Sequence, residues 1–156
     1  MTINIVLFEP EIPPNTGNIA RSCAATGSRL HLIKPLGFSV EDKQLKRAGL
    51  DYWDLLDLHI YENLNEFFQK HSQGRFYYAT TKAKKYYTDI VFQDEDFIIF
   101  GKETAGLPPE ILANNMETCI KIPMLPVDKA RSLNLANSVN IILFEALRQL
   151  GFENLV

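Results

Sequence analysis

The chain has 156 residues, 46% of them apolar, which suits a single domain over 1–156 with one sizeable core and leaves little for a second. A formal charge of -3 and a pI near 5.6 exclude a uniformly basic nucleic-acid binder, because counterion release needs Lys and Arg facing phosphates; a local basic patch stays open. There is no apolar run of about 18 residues, and Met1 to Glu9 lacks the basic and long apolar stretches of a secretory signal, so a cytosolic protein without a membrane segment is expected.

Short, mostly unalternating apolar runs read as buried parallel strands at Ile3 to Phe8, Leu30 to Ile33, Leu58 to Tyr61, Phe76 to Ala79, Phe97 to Phe100 and Cys119 to Ile122. Helical patterns lie between them at Asn15 to Thr26, Asp42 to Ala48, Leu64 to Lys70, Pro109 to Asn114 and Asn134 to Leu150. The alternation predicts an α/β fold with a mostly parallel sheet flanked by helices. The first helix follows Pro13 and Pro14, with Asn15 or Thr16 as its cap and Gly27 as its left-handed stop. The last carries Val139, Ile142, Leu143, Ala146, Leu147 and Leu150 as one apolar stripe. That stripe and the small-residue face of the first helix exceed what one small sheet covers, so a homodimer is expected. Lys34 to Gly37, Thr80 to Thr88 and Pro123 to Arg131 read as long loops, placed where open α/β sheets bind ligands.

Two cysteines, Cys23 and Cys119, lie among apolar residues without paired spacing and read as buried structural thiols. His31, His59 and His71 are scattered, with no second ligand at metal-site spacing, so no metal is expected.

Three segments could carry chemistry. In FGKETAGLP (Phe100 to Pro108), Gly101 and Gly106 allow backbone to approach a ligand, with Glu103 as an acceptor between them. Leu107 and Pro108 stand where a phosphate loop needs Lys and Ser or Thr, so an adenosine-bearing ligand without phosphates fits better than a nucleoside triphosphate. The other reading is a plain strand-to-helix turn with Pro108 at the first helical position. In the segment from Ile122 to Leu147, Arg131, Ser132, Asn134 and Asn137 lead into the apolar helix; Ser132 or Asn134 would cap it, and a capped start leaves amide donors for a ligand. In PEIPPNTGNIAR (Pro10 to Arg21), Asn15, Asn18 and Arg21 follow at three-residue intervals along one helical face, and Arg21 suits either a surface ion pair or a phosphate. Lys82, Lys84, Lys85 and Arg131 are either solvated surface or a local phosphate-facing groove.

Taken together and in this order, NTGNIAR (Asn15 to Arg21), FGKETAGLP, and IPM (Ile122 to Met124) with RSLNLANSV (Arg131 to Val139) resemble the SPOUT superfamily of knotted RNA methyltransferases, in the branch that methylates ribose 2'-hydroxyls. LFEPEIPPNTGN and KRAGLDYW (Lys46 to Trp53) are similar to the minimal members, which act on the wobble cytidine or uridine of leucine tRNAs. The resemblance implies a deep C-terminal trefoil knot, a topology that general connection rules would exclude. It implies S-adenosyl-L-methionine as cofactor, a tRNA anticodon loop as substrate, and a homodimer. It further implies cofactor contacts from Ala79, Thr80, Gly101, Ile122, Pro123, Met124, Ser132 and Leu133, and Arg21 as the catalytic residue on the target ribose or its phosphate. An arginine guanidinium stays protonated, so positioning and charge stabilisation are expected of it rather than proton abstraction. Methylation of another tRNA or rRNA nucleotide, a noncatalytic RNA-binding module, and an enzyme acting on a small adenosine-containing metabolite are the alternatives.

Overall fold

A computed structural model describes residues 1–41, 43, 47 and 50–156, the side chains of Leu50 and Asp51 aside. The helix expected at Asp42 to Ala48 falls largely outside the described residues. Seven strands form one sheet: β1 (Asn4–Phe8), β2 (Arg29–Ile33), β3 (Asp57–Tyr61), β4 (Phe76–Ala79), β5 (Lys85–Tyr86), β6 (Phe97–Phe100) and β7 (Cys119–Lys121). Their order is β3-β2-β1-β6-β4-β7-β5, and every pairing is parallel. Helices α1 (Pro13–Thr26), α2 (Leu64–Lys70), α3 (Pro109–Asn114) and α4 (Leu135–Gln149) flank it. This is the α/β architecture expected from the apolar runs, most of whose limits move by no more than one residue. The exception is β5, which has no apolar pattern because both its residues are exposed.

Parallel strands covered on both faces are apolar throughout, and β1 and β6 are buried at every position. On one face Ile5, Leu7, Leu30, Leu32, Ile98 and Ile120 pack with Ile19, Ala20 and Cys23 of α1 and with Val139, Ile142, Leu143 and Ala146 of α4. On the other, Val6, Ile33, Ile99 and Cys119 pack with Phe67 of α2 and Leu112 of α3. Each fully buried aliphatic side chain contributes about 1.5–3 kcal/mol. The stripe of α4 is therefore covered by its own chain: Val139, Ile142, Leu143, Ala146 and Leu147 are at most 5% exposed, and they give no argument for a second subunit. A different side of α4 is uncovered, at Ile141 and Phe144.

One helix start differs from expectation. Pro13 and Pro14 occupy the first turn of α1, where their missing N–H groups cost nothing, so Asn15 and Thr16 lie inside the helix and Ile12 is the cap residue. Helix α3 starts at Pro109 as expected, with Pro108 in the cap position rather than at the first helical position. Gly27 does end α1 in the left-handed conformation, at φ 71°. No described helix is long and apolar enough to cross a membrane.

Candidate functional site

Pairing register brings Ala79, Phe100 and Ile120 side by side at the carboxyl ends of β4, β6 and β7. The segments that leave these strands, with the start of α4, line an open cavity of about 710 Å³. That volume suits a small organic ligand. Leu107, Ile120, Ile122, Leu135 and Ile142 give it an apolar wall, and Thr80, Ser132 and Ser138 contribute hydroxyls. Of the expected cofactor residues, Ala79, Thr80, Gly101, Glu103, Gly106, Ile122, Met124, Ser132 and Leu133 line the cavity, whereas Pro123 does not. Sequence reasoning missed Leu135, Ser138 and Ile142. Their spacing on α4 was the available signal, because residues three and seven positions along a helix share a face.

The glycine pair closes the 101–106 loop on itself. Gly106 N–H donates to the Lys102 carbonyl at 2.8 Å, and Gly106 has φ 68°. A Cβ at Gly101 would press into the Gly106 carbonyl carbon and the Leu107 nitrogen. Gly101 is thus required by the close approach of the chain's own backbone, and it also lines the cavity.

Glu103 is likewise committed elsewhere. Its carboxylate accepts from Glu11 N–H at 3.0 Å, Ile12 N–H at 2.9 Å and the Asn15 carboxamide at 3.2 Å. It therefore fixes the chain as it enters α1, and places negative charge at the positive end of that helix. Glu11 replies, accepting from the amide and hydroxyl of Thr104 at 3.1 and 2.7 Å, and these bonds hold its carboxyl below the usual range. The free acceptor expected at Glu103 is spent on the fold. Asn134 caps α4 as anticipated, accepting from Asn137 N–H at 3.2 Å, while its own amide donates to Asn15 at 3.0 Å.

Asn15, Asn18 and Arg21 do not share one environment. Six residues turn a helix by about 120° from its starting face, which carries Asn15 inward to 7% exposure and leaves Asn18 and Arg21 exposed. Asn15 lines the cavity but faces protein partners. Arg21 stands outside it, with its guanidinium carbon 4.9 Å from the centroid of the Tyr52 ring. Lys82 and Arg131 lie on the cavity wall; Lys84 and Lys85 do not, and Lys85 pairs with Glu117 at 3.4 Å.

Histidines that looked scattered are gathered by β-pairing. His31 stacks on His59 with ring centroids 5.1 Å apart and meets His71 edge-on at 5.4 Å. Asn4 donates to the Glu95 carbonyl, which turns its oxygen toward His31 Nε2 at 2.9 Å, so Nε2 is the donor and Nδ1 accepts from the Tyr61 hydroxyl at 2.9 Å. Both ring nitrogens are used, and burial pushes the His31 pKa down to about 3. Among the described residues, no cluster of His, Cys, Asp and Glu is arranged to hold a metal ion. Cys23 and Cys119 are free and buried, and burial pushes the Cys23 thiol up to about 12, which makes it unreactive.

The tRNA (cytidine(34)-2'-O)-methyltransferase of Methylovorus glucosotrophus (strain SIP3-4) is 50% identical over 154 residues, 98% of this chain and 99% of its own length. A solved structure presented as giving structural insights into the 2-OH methylation of C/U34 on tRNA superposes with a TM-score of 0.90 at 42% identity, over 96% of this chain and 97% of the other. An AdoMet-bound rRNA methyltransferase from Sinorhizobium meliloti gives 0.83 at 26% identity, over 95% of this chain and 56% of its own. The profile of the SpoU rRNA Methylase family matches residues 2–144, and the chain belongs to that family.

Proposed function

We propose that this chain is a tRNA 2'-O-methyltransferase that transfers a methyl group from S-adenosyl-L-methionine to the ribose of the wobble nucleotide, cytidine or uridine 34, in leucine tRNAs. The observation that carries this reading is the 50% identity, over nearly the whole of both chains, with a tRNA (cytidine(34)-2'-O)-methyltransferase. The cavity fits the cofactor: an apolar wall from Leu107, Ile120 and Ile142 suits an adenine ring, and the hydroxyls of Thr80 and Ser132 with nearby main chain suit ribose and carboxylate oxygens.

When bound there, the cofactor supplies a methyl group on a sulfonium. Main chain at Ala79, Thr80, Gly101, Ile122 and Met124, with Ser132 and Leu133, would hold the adenosine end. The apolar wall excludes water. Displacement in line requires the 2'-oxygen to be fixed behind the methyl, so the protein's chief task is orientation. Arg21 does this by gripping the target ribose and an adjacent phosphate through a planar fork of donors, and its charge stabilises the oxygen as the proton leaves. A phosphate oxygen or water takes that proton more readily than a guanidinium would. Lys82 and Arg131, at the cavity wall, hold the RNA backbone.

The same reading makes the protein a single cytoplasmic domain with a trefoil knot, supported by the family motifs and by the meeting of residues 79–82, 100–107, 120–122, 124 and 131–135 around one cavity. It also makes it a homodimer, supported by Ile141 and Phe144, which leave an apolar patch on α4, 36% and 45% exposed. Sedimentation at micromolar concentration checks the dimer; an active monomer contradicts it. Transfer of tritium from methyl-labelled cofactor into bulk tRNA tests the activity. Binding without transfer would indicate a noncatalytic RNA-binding module, and label in a small metabolite would indicate another enzyme class.

A further inference from the structure

Arg29, Arg75 and Arg148 each commit the guanidinium to a carboxylate, of Asp57 and Glu95, Asp96, and Glu145 respectively. Arg21 differs. Among the described residues no acceptor engages it, and its one recorded contact is the face of Tyr52, 4.9 Å away. Tyr52 belongs to a 3-10 turn, Leu50–Leu55, packed against α1. Its neighbours Trp53 and Leu56 are partly buried against the main core, and Leu56 N–H donates to the Trp53 carbonyl at 3.2 Å. The ring therefore rests on an anchored platform.

We propose that Tyr52 is a positioning residue, whose ring holds the Arg21 guanidinium toward the target nucleotide. The inference rests on the reading that Arg21 contacts RNA. A long side chain on an open helix face samples many rotamers, and a partner that selects a few of them prepares it for binding. A carboxylate would do so by occupying two donors and offsetting the charge, as at Arg29, Arg75 and Arg148. An aromatic face attracts the cation through its quadrupole and leaves the donors at the guanidinium edge unspent. The Lys46 to Trp53 string thereby acquires a chemical role at Tyr52.

Ring electronics test this without changing shape. Tyr52→Phe keeps an aromatic face and is expected to retain methyl transfer and tRNA affinity. Phenylalanines carrying progressively more ring fluorines at position 52 keep the packing but remove negative charge from the face. Across that series, tRNA affinity and the transfer rate at saturating cofactor are expected to fall by about 2- to 5-fold, with cofactor affinity and melting temperature unchanged. In an Arg21→Ala background, tRNA affinity measured at low salt is expected to be flat across the series. A flat series with Arg21 present overturns the proposal. So does an equal decline without Arg21, since Tyr52 would then touch RNA by itself. A wild-type chain that binds tRNA but never methylates it would sink the proposed activity, and the affinity series would still decide the role of Tyr52.

Discussion

Asn134 donates a 3.0 Å hydrogen bond to the side-chain oxygen of Asn15, 119 residues earlier in the chain. Through it the cap of α4, the start of α1 and the Glu103 carboxylate become one connected unit, and all three motifs of the site meet in it. A shift at any of the three moves the cavity wall.

Asn15→Ala should therefore act on stability and ligand binding together. It leaves Glu103 and Asn134 each without one partner, Glu103 half-buried and Asn134 exposed, which costs about 0.5–1.5 kcal/mol. Urea denaturation should show that loss, and calorimetry should show weaker cofactor binding. Because the partners touch, Asn134→Ala combined with it should cost less than the sum of the two single changes. Strict additivity would show that the bond couples nothing.

Gly101→Ala inserts a methyl where Gly106 and Leu107 already lie. Overpacking of this kind costs about 1–3 kcal/mol, and here the displaced backbone is the cavity wall. A lowered melting temperature with cofactor binding reduced or lost is expected. Normal binding by a stable variant would contradict the loop geometry.

The buried histidine sets an acid limit on stability. In the unfolded chain a histidine titrates near 6.5, whereas burial, then the neighbouring His59, His71 and Arg29, push folded His31 down to about 3, opposed by Asp57. Between those values the unfolded state binds a proton that the folded state refuses. Stability is thus greatest above about pH 6.5 and falls as pH drops, by up to about 1.4 kcal/mol per pH unit for this group. His71, also shifted down by burial, adds to the slope. His31→Gln cannot titrate, so urea midpoints at pH 7 and pH 5 should differ less in the variant than in the wild type. Equal differences would remove His31 as the cause.

Much of the fold was legible because the strands of a twice-covered parallel sheet must be apolar runs. Phe76 to Ala79, Phe97 to Phe100, Leu64 to Lys70 and Pro109 to Asn114 were placed to the residue. The cavity lining was legible mainly through family resemblance, since contacts made by main chain leave little mark on composition. What the sequence hid are long-range pairings. Asn15 could not be assigned to Asn134, nor Glu103 to the amides of Glu11 and Ile12 just before α1, without knowing that their segments meet. The gathering of His31 and His59 likewise depends on the register of β2 with β3.

The basic residues should divide by position. Lys82→Ala and Arg131→Ala, at the cavity wall, should each weaken all tRNAs alike and flatten the plot of log affinity against log salt by up to about 0.7, the single-strand value per phosphate. Lys84→Ala and Lys85→Ala should change it less, because Lys85 already faces Glu117. Filter binding between low and moderate salt reads both quantities. Equal effects at all four positions would extend the RNA groove beyond the cavity.

The most direct test is to locate the methyl group. Purified protein, methyl-labelled S-adenosyl-L-methionine and unmodified leucine tRNA should yield one labelled nucleotide, the 2'-O-methylated residue 34, by nuclease digestion and mass spectrometry. Arg21→Ala should abolish it while still binding cofactor, and Arg21→Lys should rescue poorly for want of the planar fork. Label at any other nucleotide, label on a base rather than a ribose, or full transfer by the Arg21→Ala variant would contradict the account.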